Sequence, residues 1–344
     1  MKKNFVTIRE AEKFSKFKSR RGTFNWLASG AEDNKTTNEN LDFLNNLKIK
    51  PKILAKNSNF IFKKSFFGKI IKSPLILSPM GHQTQFHKLG EIAMAKAICK
   101  VDTIGLFSTQ SRHSFEKISN SNRNDKNLVW QIFLFGNKLW IENEIKRSHR
   151  VKSVALALCL DAPVRSHRYI DRESRYDARK YGKRTYPVSP NPKMALKFDW
   201  EIIKWIKKKS DKPLILKGII SVEDAKLAAK YKADSIWISN HGGRMFNSGI
   251  SSGEALLSIK QNISKKIPII VDGGVRRGSD IIKYLCLGAD FVGIGRPAIY
   301  GLILNGSKGV ENIFKILNNE FETNVFNGGF QSYKEMNIKR IIKN

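Results

Sequence analysis

The stretch LILKGIISVEDAKLAAKYKADSIWISNHGGR, residues 214–244, decides the fold. It opens on a short apolar run, Leu214–Lys217, and closes on a second, Ser235–Ser239. Between them Val222–Lys230 is amphipathic with helical spacing. Two near-continuous apolar strands joined through a helix are parallel strands, buried on both faces. The second run ends directly on His241, Gly242, Gly243 and Arg244. Chemistry-bearing residues therefore sit at the carboxyl end of a strand.

The same beat extends in both directions. Candidate strands are Leu75–Ser78, Thr103–Leu106, Trp130–Phe135, Val154–Leu160, Leu214–Lys217, Ser235–Ser239, Ile267–Val271 and Phe291–Ile294. Helix-like segments fall at Leu89–Cys99, Ser114–Ile118, Leu139–Arg147, Trp200–Lys208, Val222–Lys230, Gly253–Asn262 and Ser279–Leu287. Eight such units predict an α/β fold, a TIM (β/α)8 barrel over residues 75–340, rather than an open sheet. Residues 1–74 are polar and mostly helical in pattern, an N-terminal extension packed on the barrel. Neither a tandem repeat nor a Pro/Gly/Ser linker divides the chain, so the two parts form one functional domain. The stretch Pro163–Asp199 breaks the beat after the fourth strand with Arg, Lys, Tyr and Pro. A connection of that length is a functional lid or disordered, and the loops on this side of a barrel carry its site.

Composition narrows the class. Hydrophobic residues are 41% and aromatics 10% of 344 residues, enough for a large core. No apolar run reaches the ~18 residues that span a bilayer. The N-terminus has charge at Arg9 and Glu10 where a secretory signal has its apolar centre. The expectation is a soluble cytoplasmic protein. Three cysteines, Cys99, Cys159 and Cys286, with no CxxC pair and no close histidine, argue against disulfides and structural metal. The formal charge is +32, but lysines are spread over almost every segment. That spread is a general compositional bias, which helps attract small anions and is compatible with peripheral contact at an anionic membrane. Nothing resembles a nucleic-acid-binding motif, and a nucleic-acid partner is not expected.

Two glycine-rich turns follow the last two strands: Asp272, Gly273, Gly274, Val275, Arg276, Arg277, Gly278 after the seventh, and Gly293, Ile294, Gly295, Arg296, Pro297 at the eighth. Glycines let backbone N–H groups approach a phosphate, and arginine adds a charged fork. Barrels often hold a phosphate between these two loops. At the chemical end, His241 suits a general base near neutral pH, and Arg244 suits a carboxylate. Asp161, ending strand four, is placed to orient the imidazole. Lys217, closing strand five, is placed to stabilise developing negative charge.

These segments resemble the FMN-dependent 2-hydroxy acid oxidase and dehydrogenase family over about residues 22–340. Ser239–Arg244, Asp272–Gly278 continuing to Gly288, and Gly293–Tyr300 carry the resemblance most specifically; Ala28–Asp33, Ser78–Gly81 and Asp161–Pro163 match more weakly. The resemblance implies FMN as cofactor and a 2-hydroxy acid as substrate. It places Pro79, Met80 and Gly81 along the flavin ring. Ser108, Gln131, Lys217 and Ser239 would bond to the cofactor, with Lys217 near N1/O2. Cys159 stands where threonine is usual, which weakens that contact. Asp272, Gly273, Gly274, Arg276, Gly295 and Arg296 would hold the ribityl phosphate. His241 would take the substrate proton, and Arg168 with Arg244 would clamp the carboxylate. The resemblance also implies a homotetramer, with oxygen, a quinone or a redox protein as electron acceptor.

Two positions depart from the family pattern. Phe133 and Trp26 each stand where a substrate-binding tyrosine is usual. An indole N–H donates but does not accept, and both rings are bulky and apolar. The expected consequence is a shifted substrate, with a larger or less polar side chain than glycolate's. Three alternatives stay open on sequence: a flavin-binding barrel with altered or lost hydroxy acid activity, a basic nucleic-acid or membrane binder, and another flavin or nucleotide barrel enzyme. Retention of His241 and Arg244 disfavours the last.

Overall fold

The computed structural model describes residues 4–55, 60–121, 127–181, 191–263 and 267–343. Its eight barrel strands, numbered one to eight in chain order, are Leu75–Leu77, Gly105–Ser108, Leu128–Phe133, Ala155–Cys159, Leu214–Ile219, Ser235–Ile238, Ile269–Asp272 and Phe291–Ile294. All neighbours pair in parallel, and the eighth closes onto the first through Gly293 opposite Ile76. The expected barrel is therefore the observed one. No helix among the described residues is long and apolar enough to cross a membrane.

Strand alternation sorts the core into two regions. Leu75, Leu77, Leu156, Leu158 and Leu216 face the surrounding helices. Ile76, Leu106, Val129, Ala157, Ile215, Trp237, Ile270 and Phe291 fill the barrel interior. Phe66 joins that interior cluster and meets Phe291 ring to ring at 5.2 Å. It comes from a hairpin, Lys64–Phe66 with Lys69–Ile71, that plugs the barrel at the amino ends of its strands. Burying each of the larger aliphatic side chains and phenylalanines among them stabilises by roughly 1.5–3 kcal/mol. Successive strand residues point to opposite sides. Two residues beyond each interior apolar position, on the same face, stand Ser78, Ser108, Gln131, Cys159, Lys217, Ser239, Asp272 and Gly293. The barrel interior thus ends in one polar layer at the carboxyl ends of the strands.

Helix Val222–Lys230 begins where expected, because Ser221 caps it by accepting from the Asp224 N–H at 3.0 Å. Helix Ser252–Asn262 opens on a capping box between Ser251 and Glu254. The extension is less helical than its pattern suggests. Helices Ile8–Lys18, Arg21–Ala28 and Lys35–Asn46 are followed by Leu47–Ile49, which pairs antiparallel with Ile341–Lys343, and by the hairpin. Strands of three residues are too short to show a period. The last helix, Arg296–Asn327, has no counterpart in the sequence reading and is broken at Asn305 and Gly306. The long connection Pro163–Asp199 contains helix Tyr169–Glu173. Its residues 182–190 lie outside the described residues.

Candidate active site

The polar layer is organised around Asp161, two residues past the end of strand four. One carboxylate oxygen accepts from His241 Nδ1 at 3.0 Å and from the Cys159 thiol at 3.0 Å. The other lies 3.2 Å from Lys217 Nζ. Lys217 sits inside strand five, opposite Cys159, and also donates to Ser239 Oγ at 2.9 Å. Burial alone would push the Asp161 carboxyl up. Lys217 and His241 outweigh it and hold Asp161 well below the usual carboxylate range. Burial likewise penalises the Lys217 ammonium, yet Asp161 and then Asp272 keep it above its ordinary value. Burial and the Asp161 charge raise the Cys159 thiol, which stays neutral. Cys159, Asp161 and His241 bring ligand atoms within 4.8 Å of one another. The ammonium of Lys217 already occupies a cation's place at that carboxylate, so the cluster reads as a proton site rather than a metal site.

His241 is delivered by a strained turn. It has φ 59°, in the left-handed region, and Gly242 and Gly243 follow at 66° and 75°. A side chain at Gly243 would reach within 2.4 Å of the Thr37 backbone nitrogen, which fixes glycine there. Ser239 Oγ accepts from the His241 N–H at 3.1 Å, and Gly243 O accepts from Ala31 N–H at 2.8 Å. The extension therefore closes one wall of the site. Glu32 N–H donates to His167 O at 2.6 Å, which draws the backbone of Arg168 against that wall.

Trp26 lies beneath both arginines. Arg244 Cζ is 4.8 Å and Arg168 Cζ 5.4 Å from its ring centroid. Arg244 NH1 donates to the carbonyls of Trp26, Leu27 and Ser29 at 2.7–3.2 Å. Phe133 is 6.3 Å from the His241 ring, centroid to centroid, and forms an apolar cluster with Cys159, Ala162, Phe135 and Met245. Phe135, Ala162 and Met245 were not foreseen from sequence; their apolar character beside strand ends was the available signal.

At the other end of the layer, Gly273 and Gly274 have φ of 111° and 75°. A Cβ on Gly274 would meet the Asn40 carbonyl oxygen at 2.2 Å. Asn40, also missed from sequence, exchanges hydrogen bonds with Asn240 and accepts from Ser252 N–H. Arg276 is half-buried near Arg296, and its NH1 donates to Val275 O. Arg296 is already engaged by two backbone carbonyls. Its guanidinium donates to Leu27 O and Gly242 O, each at 3.1 Å, rather than standing open over the glycine turns. Those carbonyls offer partial negative charge to a buried cation. Burial, then the neighbouring Arg276, pull Arg296 down to about 10. Met80 reaches toward Gly295, and a Cβ at Gly81 would strike Gln110, so Met80 and Gly81 line the rim between the ends of strands eight and two. Ser108 Oγ accepts from Gln110 N–H.

The layer fits FMN on its own chemistry. Gln131 Oε1, Asp272 Oδ1 and Trp237 Nε1 are buried with no hydrogen-bond partner among the described residues. Each such atom costs roughly 1–3 kcal/mol unless a ligand meets it, and a flavin ring offers both donors and acceptors. The glycine turns and two arginines beside them suit its phosphate.

A closed parallel barrel with this layer defines a class, the flavin-dependent barrel oxidoreductases. The model of the FMN-dependent dehydrogenase family matches residues 16–343. A peroxisomal (S)-2-hydroxyacid oxidase of Arabidopsis thaliana is 31% identical, covering 92% of this chain and 91% of its own. An L-lactate oxidase of Nostoc sp. is also 31% identical, covering 92% of each. The crystal structure of mandelate oxidase with 3,3-difluoro-2-hydroxy-3-phenylpropionic acid superposes with a TM-score of 0.91 at 25% identity, covering 99% of each chain. The chain belongs to the FMN-dependent dehydrogenase family, an oxidoreductase with FMN as its cofactor.

Proposed function

We propose that the protein oxidises a 2-hydroxy acid to the corresponding 2-oxo acid, with His241 as the base and Arg168 and Arg244 holding the carboxylate. The observation that carries this reading is the 3.0 Å contact between Asp161 and His241 Nδ1, on a histidine three residues before one of the two arginines that share the Trp26 ring. A carboxylate on Nδ1 fixes the tautomer, so Nε2 carries the lone pair at the mouth. When His241 takes the substrate proton, Asp161 stabilises the imidazolium formed. Arg168 and Arg244 supply the charged forks that set the substrate's orientation. Bound FMN supplies the two-electron sink. Gln131, Ser239, Lys217 and Asp272 would hold its ring and ribityl chain, with Cys159 beside them. Gly273, Gly274, Arg276, Gly295 and Arg296 would hold its phosphate. The ammonium of Lys217 stabilises negative charge gathering in the layer.

The test is anaerobic mixing of the FMN-loaded protein with racemic 2-hydroxy acids carrying methyl, long-alkyl and phenyl side chains, alongside glycolate. Bleaching of the flavin absorbance by at least one, abolished in His241→Ala, supports the reading. No bleaching by any of them sinks it and leaves a flavin-binding barrel without this chemistry.

A further inference from the structure

Two arginines meet one residue of the extension, Ser29, and a third reaches it through Asp171. The Ser29 carbonyl accepts from Arg244 NH1 at 2.7 Å and lies 3.4 Å from Arg296 NH2. The Ser29 hydroxyl donates to Asp171 Oδ1 at 3.0 Å, and Asp171 Oδ2 lies 2.7 Å from Arg168 Nε. Ser29 and Asp171 are buried, at 1% and 5% exposure. We propose that Asp171 is a positioning residue for the substrate carboxylate, holding Arg168 by Nε so that its terminal nitrogens face the same anion as Arg244. This rests on reading the two arginines as the carboxylate clamp.

Anchoring and availability divide cleanly between the nitrogens. Arg168 Nε meets Asp171 Oδ2 as an ion-pair contact at 2.7 Å that lacks the alignment of a hydrogen bond, and among the described residues NH1 and NH2 have no hydrogen-bond partner. Arg244 is held at NH1 by three carbonyls, and its Nε and NH2 likewise have none. Each guanidinium keeps two adjacent nitrogens for a bidentate contact. Charge points the same way. Burial first, then Arg168 and Arg296, disfavour the charged form of Arg244, and Asp171 is the acid that opposes them. Burial also disfavours the Arg168 cation, and again Asp171 opposes it. Without that carboxylate, two like charges over one indole would repel and turn outward. The geometry is set by placement in sequence as well. Asp171 lies three residues beyond Arg168, on the first turn of helix Tyr169–Glu173. Ser29 follows the last residue of helix Arg21–Ala28.

The experiment compares wild type, Asp171→Asn, Asp171→Glu and Ser29→Ala as FMN-loaded proteins. The readouts are kcat and KM for a hydroxy acid that bleaches the flavin. A third is the Kd, from the flavin spectrum, of 2-hydroxy-2-methylpropanoate, which lacks a C2 hydrogen and cannot be oxidised. Asp171→Asn is expected to raise KM and Kd at least tenfold while kcat changes less than threefold and flavin content holds. Asp171→Glu should restore part of the loss. Ser29→Ala should raise both constants about three- to fivefold, and it decides the matter if the Asp171 variants do not fold. Constants within twofold of wild type in Asp171→Asn, or in Ser29→Ala if it must stand alone, overturn the inference. So does a loss confined to kcat or to flavin content. If the wild type neither bleaches with any hydroxy acid nor responds to the methylated analogue, the reading of the site itself has failed.

Discussion

Replacing Asp161 by asparagine tests the centre of the polar layer. The side chain is nearly isosteric, so the change removes one charge and leaves packing intact. Asp161 faces a buried ammonium at 3.2 Å and an imidazole at 3.0 Å, with its own side chain 9% exposed. Removing one partner of a buried ion pair costs about 3–5 kcal/mol. Asp272 also supports the Lys217 charge and an amide oxygen still accepts, so the lower end, about 3 kcal/mol, is expected here. At no more than ~2 °C per kcal/mol for a chain this long, Tm falls by roughly 5 °C. The pH dependence follows from the two directions of shift. Asp161 titrates below its unfolded value, so its contribution is full above about pH 4 and fades as pH falls through the folded value. Lys217 titrates above its unfolded value, so its contribution is full below about pH 10 and fades as pH rises through the folded value. The share of the stability gap that comes from the Asp161–Lys217 pair should therefore be flat from pH 5 to pH 9 and close in acid. Turnover should fall about a hundredfold or more, because the imidazole loses the acceptor that fixes its tautomer and stabilises its cation. Calorimetry across this pH range and single-turnover flavin reduction are the assays. A gap that persists undiminished in acid, or wild-type reduction rates, would refute the reasoning.

Two further substitutions address the ends of the layer. Gly274→Ala places a methyl within 2.2 Å of the Asn40 carbonyl at φ 75°. The left-handed conformation alone costs about 1–2 kcal/mol, so a lower Tm and weaker FMN retention are expected, and an unchanged Kd for FMN would show that this turn is not part of the phosphate cradle. Phe133→Tyr restores a hydroxyl beside His241; one new hydrogen bond to substrate, about 1–3 kcal/mol, raises kcat/KM by roughly 5- to 150-fold. A change under twofold across the hydroxy acid panel would show that the missing hydroxyl is not what limits this site.

The barrel was legible because strands buried on both faces are written as apolar runs, and eight of them recur with helices between. The glycine turns and His241 were legible because they stand where those runs end. The hairpin that plugs the barrel was not, since Lys64–Phe66 and Lys69–Ile71 give three residues each and no period. The expectation for Arg296 came from its glycine neighbours, which do not reveal that Leu27 and Gly242 present carbonyls to it from distant segments. Asp171 and Asn40 were invisible for a related reason. Their roles depend on partners 142 and 200 positions away, Ser29 and Asn240. One signal was available and unused. Counting two residues past each interior apolar position picks out Ser78, Gln131, Lys217, Ser239 and Asp272 from alternation alone.

That layer also explains why a strongly basic chain gains from anionic ligands at this place. Lys217, Arg168, Arg244, Arg276 and Arg296 are five cations, while Asp161, Asp171 and Asp272 are three anions. Lys217 is matched by Asp161 and Arg168 by Asp171. The excess falls on Arg244 and the pair Arg276–Arg296, and burial and like charge disfavour the charged forms of Arg244 and Arg296. A phosphate monoester brings about −1.5 to −2 near neutral pH, and a hydroxy acid brings one negative charge more. The imbalance is thus local and divided, with the larger share at the glycine turns and the smaller at the mouth. A global charge of +32 does not produce that division. The placement of Asp161, Asp171 and Asp272 does, by neutralising the cations that must stay put and leaving the others for ligands.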